Sequence, residues 1–244
     1  MSVSKYKDDE FLDKYENTID DRVRVCFRKI STLIKPIQDK KILDLGCGPG
    51  DFSQELFSKG ADVIAIDKSK KWIDLCKIKH KESKSLKFIT ASGSNLSFIK
   101  TKSIDVVIMN LVLPNVESPN DVKKIFSEVS RVLKKDGIFV FSDLHPMLKM
   151  SSKVYPDRYQ KYSKGFSYFK DGSSFICGIE IDRNKKNNLE FNNKHWTLET
   201  YTKFLNELNM YIYNISEPTY KKTDPVSLLK YKIPEYIILA CKKK

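Results

Sequence analysis

The chain of 244 residues carries 44 Lys and Arg against 31 Asp and Glu, a formal net charge of +13. Its hydrophobic content of 41% and aromatic content of 11% supply a packed core and exclude a disordered chain or a coiled coil. The length fits one large domain or two small ones at roughly 100–200 residues each, and the longest apolar runs, Ile104–Met109 and Ile237–Cys241, fall far short of the roughly 20 residues of a membrane span.

Residues 1–39 are charged and aromatic and read as an N-terminal helical cap in two pieces. Ile19, Val23, Phe27 and Ile30 recur at helical spacing, and Leu33 and Ile34 extend the same face. The first residues hold no apolar signal core, so a soluble, cytoplasmic protein is expected. The rhythm then changes. Lys41–Leu45 is a short strand running into Gly46-Cys47-Gly48-Pro49-Gly50, and Asp51–Lys59 is a helix that Gly60 stops. Asp62–Ile66 is a second strand closed by Asp67, and Ser69 caps a helix reaching about Lys81. Leu86–Thr90 is a third strand, and the nearly all-apolar Ile104–Met109 is a fourth, patterned for burial on both sheet faces. Residues 119–134 read as a helix ended by Asp136 and Gly137, ahead of a fifth strand at Ile138–Ser142. Strands alternating with helices indicate an α/β fold, a doubly wound Rossmann-like parallel sheet.

Beyond Pro146 the pattern is irregular. Residues 147–196 are rich in Tyr and Phe, with a strand at Ser174–Ile181 and a turn at Asn184–Asn188 leading into another. Thr197–Leu208 is an amphipathic helix, followed by strands at Met210–Ser216 and Glu235–Cys241. Residues 147–196 are read as an insertion over the sheet's edge, a substrate lid, so that 1–244 form a single domain.

The basic balance is the electrostatic footprint expected of a nucleic-acid binder. Only six of the 44 cations are Arg, however, and Arg is the residue suited to bidentate phosphate and base contacts. The lysines therefore read first as a solvated surface. Cys26, Cys47, Cys76, Cys177 and Cys241 are scattered without a Cys-x-x-Cys, which fits a reducing compartment and no structural zinc. His80, His145 and His195 have no metal-ligand spacing, so no metal is expected.

In an open α/β sheet, ligands bind outside the carboxyl ends of the strands at the switch in strand order. The first strand ends in Asp44-Leu45-Gly46-Cys47-Gly48-Pro49-Gly50. Alternating glycines let the backbone turn tightly and approach a ligand. An acid just before them suits an ammonium group and would repel a pyrophosphate, unlike the dinucleotide fingerprint. Asp67, at the end of the second strand, suits the hydroxyls of a ribose; taken alone it serves equally well as a helix cap.

These segments, Ile42–Ser53 with Val63–Ser69, together with Ser103–Leu113 and Ser130–Gly137, resemble the class I S-adenosylmethionine (SAM)-dependent methyltransferases. The resemblance covers at least residues 41–145, and pieces around Ser142–Pro146 and His195–Pro218 are similar to a bacterial small-molecule branch. It implies a seven-stranded, mostly parallel sheet with an insertion after strand five, SAM as cofactor and S-adenosylhomocysteine as product. It also implies that Gly46, Cys47 and Gly48 face the methionine part, with Asp44 near its amino group. Asp67 then holds the ribose, and Lys68 and Trp72 flank the adenine. Ser92 stands where the family usually has an acid for the adenine amine, with the Gly93 N–H beside it. Asn110 and Leu111 offer main-chain contacts to the methionine group, and Tyr15 closes over the cofactor. Pro114 stands where the family often has a His, which leaves the acceptor unassigned.

Methyl transfer from a sulfonium needs alignment and desolvation above all. Where the acceptor must lose a proton, His145 and His195 are the candidate bases, since imidazole titrates near neutral pH. The leading expectation is a methyltransferase acting on oxygen, nitrogen or carbon of a small molecule. The alternatives are a SAM enzyme releasing methylthioadenosine by lyase chemistry or azetidine closure, an RNA (tRNA) methyltransferase, and a non-catalytic SAM-binding subunit. Oligomeric state is not legible in the sequence.

Overall fold

The computed structural model describes residues 20–149, 158–182, 187–221 and 233–244. Its centre is a seven-stranded sheet built from β1 (Lys41–Leu45), β2 (Asp62–Asp67), β3 (Leu86–Thr90), β4 (Ile104–Asn110), β5 (Leu133–Leu144), β9 (Met210–Ser216) and β10 (Tyr236–Lys243). The order is β3-β2-β1-β4-β5-β10-β9. The first five strands are parallel, and β10 runs antiparallel to both β5 and β9. The order reverses between β1 and β4, so the carboxyl ends of these two strands flank the crevice.

Side-chain alternation divides the core between the two faces. Ile42, Val106 and Ile108 point to the side covered by Cys26, Ile30 and Ile34, from α1 (Asp20–Leu33) and the turn after it. α2 (Asp51–Ser58) and α3 (Lys70–Lys79) complete that layer with Phe52, Leu56, Ile73 and Cys76. Leu43, Val107 and Met109 point the other way, against α4 (Pro119–Val132) and α6 (Leu198–Glu207). There Phe126 meets Phe139 edge-on at 5.4 Å, and Tyr201 meets Phe141 at 5.2 Å. Such pairs contribute about 0.5–1.5 kcal/mol each beyond simple burial. The caps are local: Ser69, Ser118 and Thr197 each accept the N–H three residues on, from Trp72, Asp121 and Thr200.

Most boundaries fall within one or two residues of the sequence expectation, and the largest departure is at the start of β5. α4 stops at Val132 and β5 begins at Leu133, so Asp136 and Gly137 lie within the strand. Leu133 is fully buried and pairs with Ile104, and the next pair is Ile138 with Val106, so Lys134–Gly137 bulge out between them, with Lys134 Nζ bonding Asp105 Oδ1 at 2.8 Å; the turn propensity of Asp136-Gly137 is spent on this bulge inside the strand. The insertion also holds a strand that its sequence did not reveal. After the short α5 (Pro146–Lys149), β6 (Arg158–Tyr162) pairs with β7 (Ser174–Asp182), which pairs with β8 (Asn187–Lys194) in a three-stranded antiparallel sheet.

This small sheet is tied to the large one by buried polar contacts. Trp196, just after β8, is almost fully buried and donates its Nε1–H to the Leu113 carbonyl at 2.8 Å. Asp171 accepts the Thr197 N–H at 2.8 Å and the Thr200 hydroxyl. Among the described residues, no helix is long and apolar enough to cross a membrane.

Candidate active site

The loop after β1 is shaped by its glycines. Gly46 has φ +77° and Gly48 φ +53°, a region costly to side chains with a Cβ. The N–H groups of Gly46 and Cys47 both donate to the Ile66 carbonyl, at 2.7 and 3.0 Å, which fastens the loop to the end of β2. A Cβ on Gly46 would overlap Val112 Cγ2, whereas one on Gly48 would meet nothing within 4 Å. The main chain at Gly48 is therefore open to a ligand.

Asp67 braces the same loop. Its Oδ2 accepts the Gly48 N–H at 3.1 Å and its Oδ1 accepts the Ser69 N–H at 2.8 Å. Burial raises its pKa above the usual carboxylate range, opposed by those two N–H groups and by Lys68. A carboxylate has about four lone-pair sites, so Asp67 keeps acceptor capacity toward the cavity it lines.

Asp44 sits beneath the loop, 3% exposed, and accepts the Ser53 hydroxyl on Oδ2 at 2.5 Å. Burial pushes its pKa from 3.8 to about 6, with Ser53 lowering it and the Asp67 charge raising it further. The folded state therefore holds the proton more tightly than the unfolded chain. The resulting destabilisation is absent below the ordinary value and complete above about pH 6. We predict that Asp44→Asn, which keeps an acceptor for Ser53, raises stability at pH 7 by about 1–3 kcal/mol. Chemical denaturation at pH 7 and pH 3.5 checks this: the gain should vanish at the lower pH, and an equal gain at both would refute the buried-charge account.

On the opposite wall the chain leaves β4 through Asn110 and Leu111. Leu111 has φ +55°, a strained conformation for a branched residue that persists only when its surroundings hold it. They do so: the Leu111 N–H donates to Ser142 Oγ at 3.0 Å, and its carbonyl accepts from Asn115 Nδ2 at 3.3 Å. The Ser142 hydroxyl in turn donates to Asn110 Oδ1 at 2.6 Å. Leu111 thus spends its N–H within the protein.

These walls enclose a cavity of about 280 Å³, near the lower end of the roughly 300–1,000 Å³ common for small-ligand sites. Of the residues singled out in the sequence, Gly46, Gly48, Asp67, Lys68 and Trp72 line it, as do Ser92, Gly93, Asn110 and Leu111. Asp44 and Cys47 lie behind this lining. The Cys47 thiol is held far above its ordinary pKa by the neighbouring Cys76 thiol and by burial, so it is no nucleophile. Tyr15 lies outside the described residues.

His145 and His195 are not among the lining residues. His145 Nδ1 accepts the Met147 N–H at 3.1 Å, which places the ring proton on Nε2, facing Glu217 Oε1 at 2.7 Å. His195 is fully buried between Phe166 and Tyr168, with Nε2 at 2.7 Å from the Tyr168 carbonyl. Both rings pin segments of the chain around the insertion.

Sequence reasoning missed the far end of the cavity, formed by Ser94, Val116 and Glu117 with Asp121 and Ile125 of α4. The available signal was the i, i+4 spacing of Asp121 and Ile125, which share one helix face. Apolar periodicity assigns that face simply to the core.

Residues 43–141 match the family described as "Methyltransferase domain". The chain is 32% identical over 203 residues to a ubiquinone biosynthesis O-methyltransferase of Pelagibacter ubique, covering 82% of this chain and 76% of that protein. It is 31% identical over 126 residues to a thiol S-methyltransferase of Rattus norvegicus, about half of either chain (50% and 50%). The fold is similar to the crystal structure of an S-adenosylmethionine-dependent methyltransferase from Mesorhizobium loti, with TM-score 0.65 and 21% identity over 87% of this chain and 95% of that one.

Proposed function

The chain belongs to the class I SAM-dependent methyltransferase family, and from that premise we propose that it methylates an oxygen, nitrogen or carbon atom of a small molecule admitted beneath the three-stranded insertion. SAM is the cofactor, and it supplies a sulfonium methyl with a good neutral leaving group. The residues present fit it. Gly48 leaves the main chain open where the methionine part lies, Asp67 keeps lone pairs for two ribose hydroxyls, and buried Asp44 favours a cation above the loop.

The observation that carries the small-molecule reading is the anchoring of the insertion to the loop after β4, which supplies part of the cavity lining. Trp196 hydrogen-bonds Leu113 within the loop that also supplies Leu111, Val112, Asn115 and Val116 to the cavity. An insertion anchored beside the cavity is placed to cover the acceptor, which suits a compact substrate better than a polymer. Lys68 and Trp72 flank the base, Ser92 and Gly93 edge it, and Asn110 faces the methionine end. With His145 and His195 both engaged outside the cavity, alignment and desolvation carry the rate, effects that reach about 7–11 kcal/mol in oriented systems.

The test is incubation of the purified protein with methyl-labelled SAM and a panel of phenols, amines and activated carbon acids. Label should pass to an acceptor with one equivalent of S-adenosylhomocysteine formed. Methylthioadenosine released without acceptor, or label transferred to RNA alone, would overturn the reading. Cofactor affinity should fall as pH drops through about 6, because the ammonium is favoured by ionised Asp44 and not by its protonated form.

A further inference from the structure

The two ends of the cavity differ in chemistry. Around the glycine loop the polar lining is main-chain atoms with Asp67, Lys68 and Ser69 after β2 and Asn110 and Asn115 after β4; at the end bounded by α4 it is the side chains of Ser92, Ser94, Glu117 and Asp121. The loop after β3 is clamped along α4. The Leu96 N–H donates to Glu128 Oε2 at 2.6 Å, and Arg131 reaches the carbonyls of Leu96 and Ile99 at 2.8 and 3.0 Å. This clamp fastens Leu96 and Ile99 to the last turns of α4, and Ser94, just before it, lines the same cavity as Asp121 and Ile125 of the earlier turns.

The acceptors at this end are unequal. The Ser92 and Ser94 hydroxyls bond each other at 2.8 Å, and Ser92 Oγ also accepts the Ser94 N–H at 3.3 Å. Glu117 is drawn toward Lys194 of the insertion, at 3.7 Å. Asp121 is held by the helix cap, its Oδ2 accepting the Ser118 hydroxyl at 2.7 Å while its N–H donates to Ser118 Oγ at 3.1 Å. Its Oδ1 has no hydrogen-bond partner among the described residues. A carboxylate oxygen oriented by a cap and lining a cavity is a pre-organised acceptor for a donor on the ligand.

We propose that Asp121 accepts the exocyclic amine of the cofactor's adenine and is the residue that selects an aminopurine over an oxopurine. The inference rests on the reading that this cavity holds SAM with its ribose on Asp67. The base then extends past Trp72 and Ser92 to the Asp121 end, and its amine is the donor available there. A hypoxanthine ring would turn a carbonyl oxygen toward the carboxylate, two acceptors face to face. Sites built around a hydrogen bond reject analogues that leave a buried group unpaired.

The experiment is calorimetric titration of S-adenosylhomocysteine and S-inosylhomocysteine into the full chain and into Asp121→Asn and Asp121→Ala. The unsubstituted protein should favour the adenine ligand by about 10–100-fold, the range expected for a hydrogen bond to a charged group. Asp121→Asn keeps an acceptor for Ser118, and its amide offers either a donor or an acceptor to the base. The preference should fall to within about 3-fold in both variants, with melting temperatures confirming that they fold. Undiminished preference in both variants overturns the role of Asp121 while leaving the cofactor assignment standing. Failure of the unsubstituted protein to bind either ligand overturns the cofactor assignment itself, and this inference with it.

Discussion

Asp67→Ala should abolish measurable cofactor binding. The carboxylate is placed to accept two ribose hydroxyls, and charge-assisted bonds of roughly 1.5–3 kcal/mol each correspond to a loss of about 10²–10⁴-fold in affinity. The same carboxylate holds the N–H groups of Gly48 and Ser69, so the alanine variant also loosens the glycine loop. Asp67→Asn separates the two effects. It retains one acceptor oxygen and its shape but lacks the charge, and should bind S-adenosylhomocysteine about 10–100-fold more weakly than Asp67 does. Titration of both variants checks this, with hydrogen exchange at Gly48 reporting on the loop. An affinity unchanged in Asp67→Ala would remove the ribose from this end of β2.

Gly46→Ala should be strongly destabilising. Two independent penalties meet there. The left-handed φ costs a residue with a Cβ about 1–2 kcal/mol, and the new methyl would overlap Val112 Cγ2, an overpacking cost of about 1–3 kcal/mol. Together they consume a large part of the 5–15 kcal/mol typical of a domain's stability. Removing the partner methyls in a Gly46→Ala/Val112→Ala protein relieves the overlap and leaves the dihedral cost. Denaturation of the four proteins of this cycle should give a favourable coupling of about 1–3 kcal/mol. Strict additivity would mean that Val112 moves aside freely and that the loop is not packed as described.

These two residues also mark where sequence legibility ends. The glycine run, Asp67 and Ser69 were readable because their roles are local: a turn, a strand end and a cap lie within a few residues of one another, and backbone sterics dictate the residue types. Asp44 was legible as an acid beneath the loop. That it is buried against Ser53, with its pKa near 6, depends on how α2 packs over β1. The insertion was legible as an aromatic break in the strand–helix alternation. Its strand at Arg158–Tyr162 was not, because pairing with β7 rather than composition makes it a strand.

The sequence by itself determined the doubly wound α/β fold and the glycine loop with its two acids, and the resemblance of these segments to a known family implied the cofactor. The fold and the loop follow from periodicity and from short-range steric rules that hold wherever the segment is placed. Tertiary structure alone decided which groups share the cavity. Val112 closes on Gly46, Ser142 holds Leu111 from 31 residues away, and Trp196 bonds the Leu113 carbonyl across 83 residues. It also left both candidate histidines out of the lining and brought Asp121 into it. Contacts of this kind arise from packing between elements, where close fit and the need to satisfy buried polar groups choose the partners, and no local pattern encodes that choice.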